Sequence, residues 1–425
     1  MALLLDKTRP TTVAELDFNV EMMSSLKAML SEGDFPHILF YGPPGCGKKT
    51  RIQILLRTVF GPSVDKIVVE TRQLKKGNQS ATFDITLLSS PNHVEVCPSD
   101  AGMADRYVVM ELIKEVAQSL PLDLGEGESA QRALGRMQLM SAKAKKGGSA
   151  SSLSKAHQSS SDKGSDTRGL FKVVVLTGAD LLSKAAQHAL RRTMEKYMST
   201  CRLVLVCETT SKIISPLLSR CLLVRCASPT DDDIVRIVQK AGQQEHDSTW
   251  RMAMRGKKGY ERSQQEDERQ KQAVPQELAQ NIAVQSHGNV RRALLMLDAC
   301  LAVQGSGQTL EAQMSIPVPD WEIASEEIAT MALAQQDPKQ VLDIRKRLYE
   351  LLVNCIPADV LFKRISQHLN NKVDGSLKEH VAYWAAFFEH RCQQGMKPII
   401  HLEAFITKIM ALQKEFLTGV LDQDK

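Results

Sequence analysis

Short apolar runs at 38–41, 67–70, 93–96, 173–176, 203–207 and 222–224 recur through the first half of the chain, each bounded by glycine, proline or polar residues. They are too brief for ordinary helices and have the length of buried strands. Between them the apolar positions repeat every three or four residues, the period of one helical face. Strands alternating with helices predict an α/β domain, a parallel sheet flanked by helices, over 1–228. From Pro229 the strand pattern stops, and 231–242, 276–287 and 290–303 read as a small helical domain over 229–308. A second all-helical block occupies 309–425, its helices following Pro317 and Pro319.

That last block is well punctuated. Asp337-Pro338 opens one helix with a cap and a first-turn proline. Ser376 with Glu379 three residues on reads as a capping box, after which Val381, Trp384, Ala385 and Phe388 line one face up to Gly395. The final helix is expected over 399–417, closed by Gly419. Helices this apolar pack against one another or against sister subunits.

Two stretches break the pattern. Within 125–168, the part from 141 onward is serine, lysine and glycine with almost no large apolar residue, too little to offset its ordering entropy. The other, 243–273, is dense in Gln, Glu, Arg and Lys. Both read as loops grown on the surface of a complete fold.

Composition narrows the class. With 425 residues and 43% hydrophobic content, several cored domains are affordable, and no apolar run is long enough to span a membrane. The N-terminal residues carry charge early and show no cleavage-like site, so no secretory signal is expected. Nine cysteines without a C-x-x-C pair argue for reduced thiols, as in the cytosol or nucleus, rather than a disulfide framework or zinc module. A net charge of +5 permits a local nucleic-acid patch without demanding one.

Candidate chemistry begins where the 38–41 strand meets Gly42-Pro43-Pro44-Gly45-Cys46-Gly47-Lys48-Lys49-Thr50, and a helix follows with Ile52, Leu55, Leu56 and Val59 on one face. Strand, glycine-rich turn, helix is the geometry that aims successive backbone N–H groups at a phosphate. Lys48 supplies the point charge. The next position of such a loop is normally Ser or Thr, whose hydroxyl holds magnesium. Here it is Lys49, with Thr50 one residue late, so anion binding is expected while magnesium at this site is left in doubt. The strand 173–176 should end in metal-holding acids, and Thr177 and Gly178 stand there instead.

Two further constellations follow. In 184–197, Ala186, Ala189, Leu190, Thr193, Met194 and Tyr197 form a core stripe, while Gln187, Arg191 and Glu195 align on another face; spacing alone reads that line as a solvated, salt-bridged surface. Ser219-Arg220-Cys221 sits between a short helix and the 222–224 strand, a rigid edge from which an arginine could reach another molecule's phosphate.

Together these residues resemble the small subunits of the eukaryotic clamp loader replication factor C, within the AAA+ ATPases. The resemblance also rests on Asp6-Lys7-Thr8-Arg9-Pro10, Gly33-Asp34-Phe35-Pro36-His37 and Ser99-Asp100, and covers nearly all of the chain outside the two interruptions. It implies a P-loop domain, a helical lid and a helical collar that oligomerises. It implies ATP or ADP held by Gly42, Pro43, Gly45, Cys46, Gly47, Lys48, Lys49, Thr50, Arg9 and the lid's Arg291. It makes Arg220 a catalytic residue acting in trans, with no partner expected in its own chain, and makes Gln187 the link between DNA sensing and the ATP sites. Implied partners are the other subunits of a nuclear hetero-pentamer, the ring-shaped sliding clamp (proliferating cell nuclear antigen) near the helix 106–120, and primer–template DNA, with Arg106 and Lys184 as candidate phosphate contacts. Its implied work lies in replication and repair.

The departures matter as much. Beyond Thr177 and Gly178, Glu208 replaces the family's water-positioning Asn. The chain's own site is therefore expected to bind nucleotide without hydrolysing it. A purely architectural subunit with a static nucleotide, and a stand-alone P-loop ATPase, are the alternatives.

Overall fold

The alternation read from the sequence builds a seven-stranded sheet in the computed structural model, which describes residues 3–31, 35–75, 82–118, 171–198, 200–253, 274–304, 314–395 and 397–419. Its strands are β1 (Ile38–Tyr41), β2 (Val68–Lys75), β3 (Thr82–Ser89), β4 (His93–Val96), β5 (Lys172–Thr177), β6 (Cys201–Cys207) and β7 (Leu222–Arg225), in the order β2-β3-β4-β5-β6-β1-β7. From β4 to β7 every pairing is parallel, and β1 lies between β6 and β7.

The sheet is mixed rather than parallel throughout, because β3 runs antiparallel to both β2 and β4. The apolar runs did not mark β3. Along it Ile85 and Leu87 are buried while Asp84 and Thr86 are exposed, the half-polar alternation of an antiparallel strand with one wet face. β2 likewise outruns its apolar start and continues at the sheet edge, where Arg72 pairs with Glu70 and Glu115.

The described helices of residues 3–315 are α1 (Leu4–Lys7), α2 (Val20–Ser31), α3 (Lys48–Phe60), α4 (Asp105–Gln118), α5 (Lys184–Lys196), α6 (Ser215–Leu218), α7 (Asp231–Ala253), α8 (Gln276–Ser286) and α9 (Val290–Gln304). Alternation along each strand divides the core between the two faces of the sheet. Leu39, Val174, Leu176, Leu203 and Leu205 meet α4 and α5 on one side. Ile38, Phe40, Val173, Val175, Val204 and Val206 meet α2 and α3 on the other. Each such side chain, fully buried, contributes roughly 1.5–3 kcal/mol. α4 starts at Asp105 and is described to Gln118, so the end of the expected 106–120 helix lies outside the described residues.

α7 opens on Asp231, Asp232 and Asp233, which suit the positive end of a helix, and runs to Ala253. The beginning of the expected 243–273 loop is thus helix: Gln and Glu are good helix formers, and their density marks an exposed helix as readily as a loop. Residues 254–273 and 125–168 lie outside the described residues. α1 packs against α9, with Leu4 buried and its N–H 3.5 Å from Asp298 Oδ2.

The chain divides into two compact units, 1–315 and 316–425. The second holds α10 (Asp320–Ala334), α11 (Pro338–Val353), α12 (Ala358–Lys372), α13 (Gly375–Gln394) and α14 (Pro398–Leu417) around a core of its own, in which the Phe362 and Phe405 rings meet tilted, 5.7 Å between centres. Trp384, Ala385 and Phe388 pack on that core. The expected capping box is absent: α13 begins at Gly375 with Asp374 in the cap position, and Ser376 sits inside the first turn. No described helix is long and apolar enough to cross a membrane. All nine cysteines are free thiols.

Candidate functional site

β1 delivers the chain into the glycine-rich turn, and α3 carries it away starting at Lys48. Glycine is required twice over. A Cβ at Gly42 would stand 2.1 Å from the Cys226 carbonyl oxygen, and one at Gly45 would stand 1.8 Å from Asn289 Oδ1. Gly45, at φ +76°, therefore lets Asn289, just before α9, sit directly on the turn. Asn289 also accepts the Arg292 N–H at 3.1 Å, which starts α9. Arg291 follows, exposed, in the first turn of that helix. Pro43 is exposed, Thr50 lies half-buried in the first turn of α3, and Arg9 is exposed after α1.

The Lys48 ammonium donates to the carbonyls of Gly42 (2.6 Å) and Pro43 (2.9 Å), folding back over the turn. The Lys49 ammonium pairs with Glu95 on β4. Behind the turn lies Arg51, to which the sequence assigned no role. It is 1% exposed, donates to the carbonyls of Cys46 (2.5 Å) and Phe18 (3.1 Å), and stacks 4.3 Å from the Phe18 ring. Burial lowers its guanidinium pKa, and the neighbouring thiols oppose that shift. Cys46 and Cys226 are fully buried; the interaction of the two thiols, with Lys48 and Arg51 nearby, lowers the pKa of the Cys46 thiol and raises that of Cys226.

The strand ends beside the turn lack the expected acids in space as in sequence. Thr177 is buried and donates to the Val96 carbonyl at 3.3 Å, and Gly178 turns the chain at φ +67°. The Glu208 side chain is exposed; its carbonyl accepts the Gly42 N–H at 3.3 Å, and its N–H lies 3.4 Å from Asp180 Oδ2. Among the described residues no group of three or more His, Cys, Asp or Glu could hold a metal ion.

α5 organises the segment 212–220. Gln187 is 1% exposed, so it does not belong to a solvated face. Its Nε2 donates to the carbonyls of Leu182 and Lys212, both at 3.1 Å, and its Oε1 accepts the Ile214 N–H at 2.9 Å. Two turns on, Glu195 reaches Arg220 at 2.7 Å instead of pairing along its own helix. Arg220 thus does have a partner in its own chain, against the expectation, and also donates to the Pro216 carbonyl at 2.9 Å. The chain spacing of 25 residues hides this contact; only the fold reveals it. Its side chain remains 40% exposed.

Arg106 and Lys184 come together through their helix starts. The buried Asp105 carboxylate accepts the N–H of Arg106 (2.6 Å) and of Ser183 (2.7 Å), and the Ser183 hydroxyl (3.1 Å). Ser183 in turn caps α5 by accepting the Ala186 N–H. Two helix N-termini, each with a basic residue in its first turn, are stitched side by side.

Residues 321–417 match the family described as Replication factor C subunit 3, C-terminal domain. The chain is 39% identical to Replication factor C subunit 3 of Mus musculus and of Homo sapiens over 422 residues, 99% of each chain. It is 38% identical to the protein of that name in Arabidopsis thaliana, over 98% of both chains. Among solved structures, a RuvB variant of Thermotoga maritima aligns at a TM-score of 0.46 and 13% identity, covering 88% of this chain and 98% of that one.

Proposed function

The chain belongs to the replication factor C subunit 3 family, and from that premise we propose that it is a clamp-loader subunit that holds nucleotide without hydrolysing it and serves a neighbour's ATP with Arg220. Within a nuclear hetero-pentamer it would help open the sliding clamp and place it on primer–template DNA. The turn 42–47, Lys48 and the start of α3 supply the phosphate cradle. No carboxylate at Thr177 or Gly178 holds a metal, and Glu208 would repel a phosphate rather than hydrogen-bond to it. Hydrolysis is therefore assigned to other subunits.

The observation that carries this reading is the double grip of α5. Gln187 fixes Lys212 and Ile214, and Glu195 fixes Arg220, while the guanidinium keeps an exposed side to offer. An arginine so presented supports a trans-acting role, which contributes roughly 10³–10⁵ in phosphoryl-transfer rate. The stitched helix starts at Arg106 and Lys184 support phosphate contact with DNA, salt-dependent and largely sequence-blind.

In the reconstituted complex, Arg220→Ala should leave assembly intact while DNA-stimulated ATPase and clamp loading fall about tenfold or more. Arg220→Lys should fail nearly as badly, since lysine can keep one bond to Glu195 but loses the planar fork. Lys48→Ala should leave turnover mostly intact. Normal loading by the Arg220→Ala complex would remove the trans role, and loss of turnover in an assembled Lys48→Ala complex would remove the non-hydrolytic reading. Lys48 already engages two loop carbonyls, which favours a second reading, an architectural subunit with a static nucleotide. Failure of labelled ADP to exchange into the purified complex would select it.

A further inference from the structure

P-loop sites ordinarily hold a magnesium nucleotide, with the hydroxyl after the loop lysine and an acid on the neighbouring strand as supports. The residues around this turn do not fit that ion. The hydroxyl position is Lys49, whose ammonium is ion-paired to Glu95. The strand position is Thr177, which alternation places on the α3 face with Val173 and Val175, and its hydroxyl is committed to the Val96 carbonyl. Gly178 has no side chain to offer. Glu95 is held by Lys49, and Asp180 faces the Glu208 N–H. Magnesium demands near-octahedral oxygen ligands at close range, and here it would meet a fixed ammonium.

From this arrangement we propose that the turn takes its nucleotide as the metal-free anion, with the Lys49 ammonium, anchored by Glu95, standing where the divalent ion would. The proposal rests on the nucleotide-holding reading given above. An ammonium has three donors, so Lys49 can keep its bond to Glu95 and still turn a hydrogen toward a phosphate oxygen. Lys48 supplies a second cation, and the turn's N–H groups and the N-terminus of α3 add positive potential. Glu95 in turn keeps Lys49 anchored to β4, so the substituting charge stays in place in the absence of ligand.

The test is a titration of the full chain with ADP, by equilibrium dialysis, in excess EDTA and in millimolar magnesium. The expected dissociation constants agree within about threefold, and Lys49→Ala weakens ADP by about tenfold equally in both arms. In Lys49→Thr/Thr177→Asp, which rebuilds the missing supports, magnesium should tighten ADP by about tenfold over EDTA. If that variant fails to fold, manganese resonance on the wild-type chain decides: free-ion signal undiminished by ADP beyond its binding in solution is expected. A wild-type affinity that drops about tenfold or more in EDTA overturns the proposal. So does ADP-dependent capture of manganese by the chain. No ADP binding in either arm would instead sink the nucleotide-holding reading, and the proposal with it.

Discussion

Single buried polar residues set much of this protein's behaviour, and His37 gives the clearest prediction. Its ring is buried at the mouth of β1, where Nδ1 accepts the Leu203 N–H at 3.0 Å, a bond that needs that nitrogen unprotonated. Burial, reinforced by the nearby Arg202 charge, lowers its pKa from 6.5 to about 4. Between those values the unfolded chain takes up a proton that the folded chain refuses. Stability from this group is therefore complete above about pH 6.5, declines as pH falls toward 4, and loses on the order of 3 kcal/mol in all. Buried His93 is shifted in the same direction. Urea unfolding at pH 7 and pH 5 should show the loss, and His37→Gln should flatten it; an equal slope in the variant would assign the effect elsewhere. Gln187 and Glu195 teach a related lesson about reading residues from spacing. Both lie in line on α5, yet one is buried against the 212–214 backbone and the other reaches Arg220. Spacing reports which residues share a helix face, not what that face meets.

At the scale of elements, two serines that look alike in sequence separate in the structure. Ser183 caps α5 and joins Asp105 at the start of α4, whereas Ser376 lies inside the first turn of α13 without capping it. Ser183→Ala should cost about 1–2 kcal/mol in chemical unfolding, and Ser376→Ala no more than about 0.5 kcal/mol. Equal losses would mean that Ser183's bonds contribute nothing net. Legibility followed the same physics. The parallel strands β1, β5 and β6 are buried on both faces, so they write continuous apolar runs such as Val173-Val174-Val175-Leu176. β3 has one wet face and writes alternation, and α7 extends through polar residues that pattern alone cannot tell from loop. The glycine-rich turn was legible because glycine spacing and flanks are local, whereas Phe18, which holds Arg51 beneath it, and Glu95, which holds Lys49, are brought there by the fold.

At the scale of the whole chain, residues 316–425 have a hydrophobic core whose members all come from α10 to α14. Expressed alone, this segment should be helical and melt cooperatively by circular dichroism; a non-cooperative or absent transition would show that its core is insufficient by itself. In the first unit, the suspension of the 212–220 segment from α5 has a mechanical consequence. A segment hung from one point swings; hung from two points on a stiff rod, it loses that freedom and follows the rod. Gln187 and Glu195 are such points, about two turns apart on one helix. A tilt of α5 would therefore carry Ile214 with it through the buried Gln187 bond, while the exposed Glu195–Arg220 pair is the weaker of the two ties and the first to give.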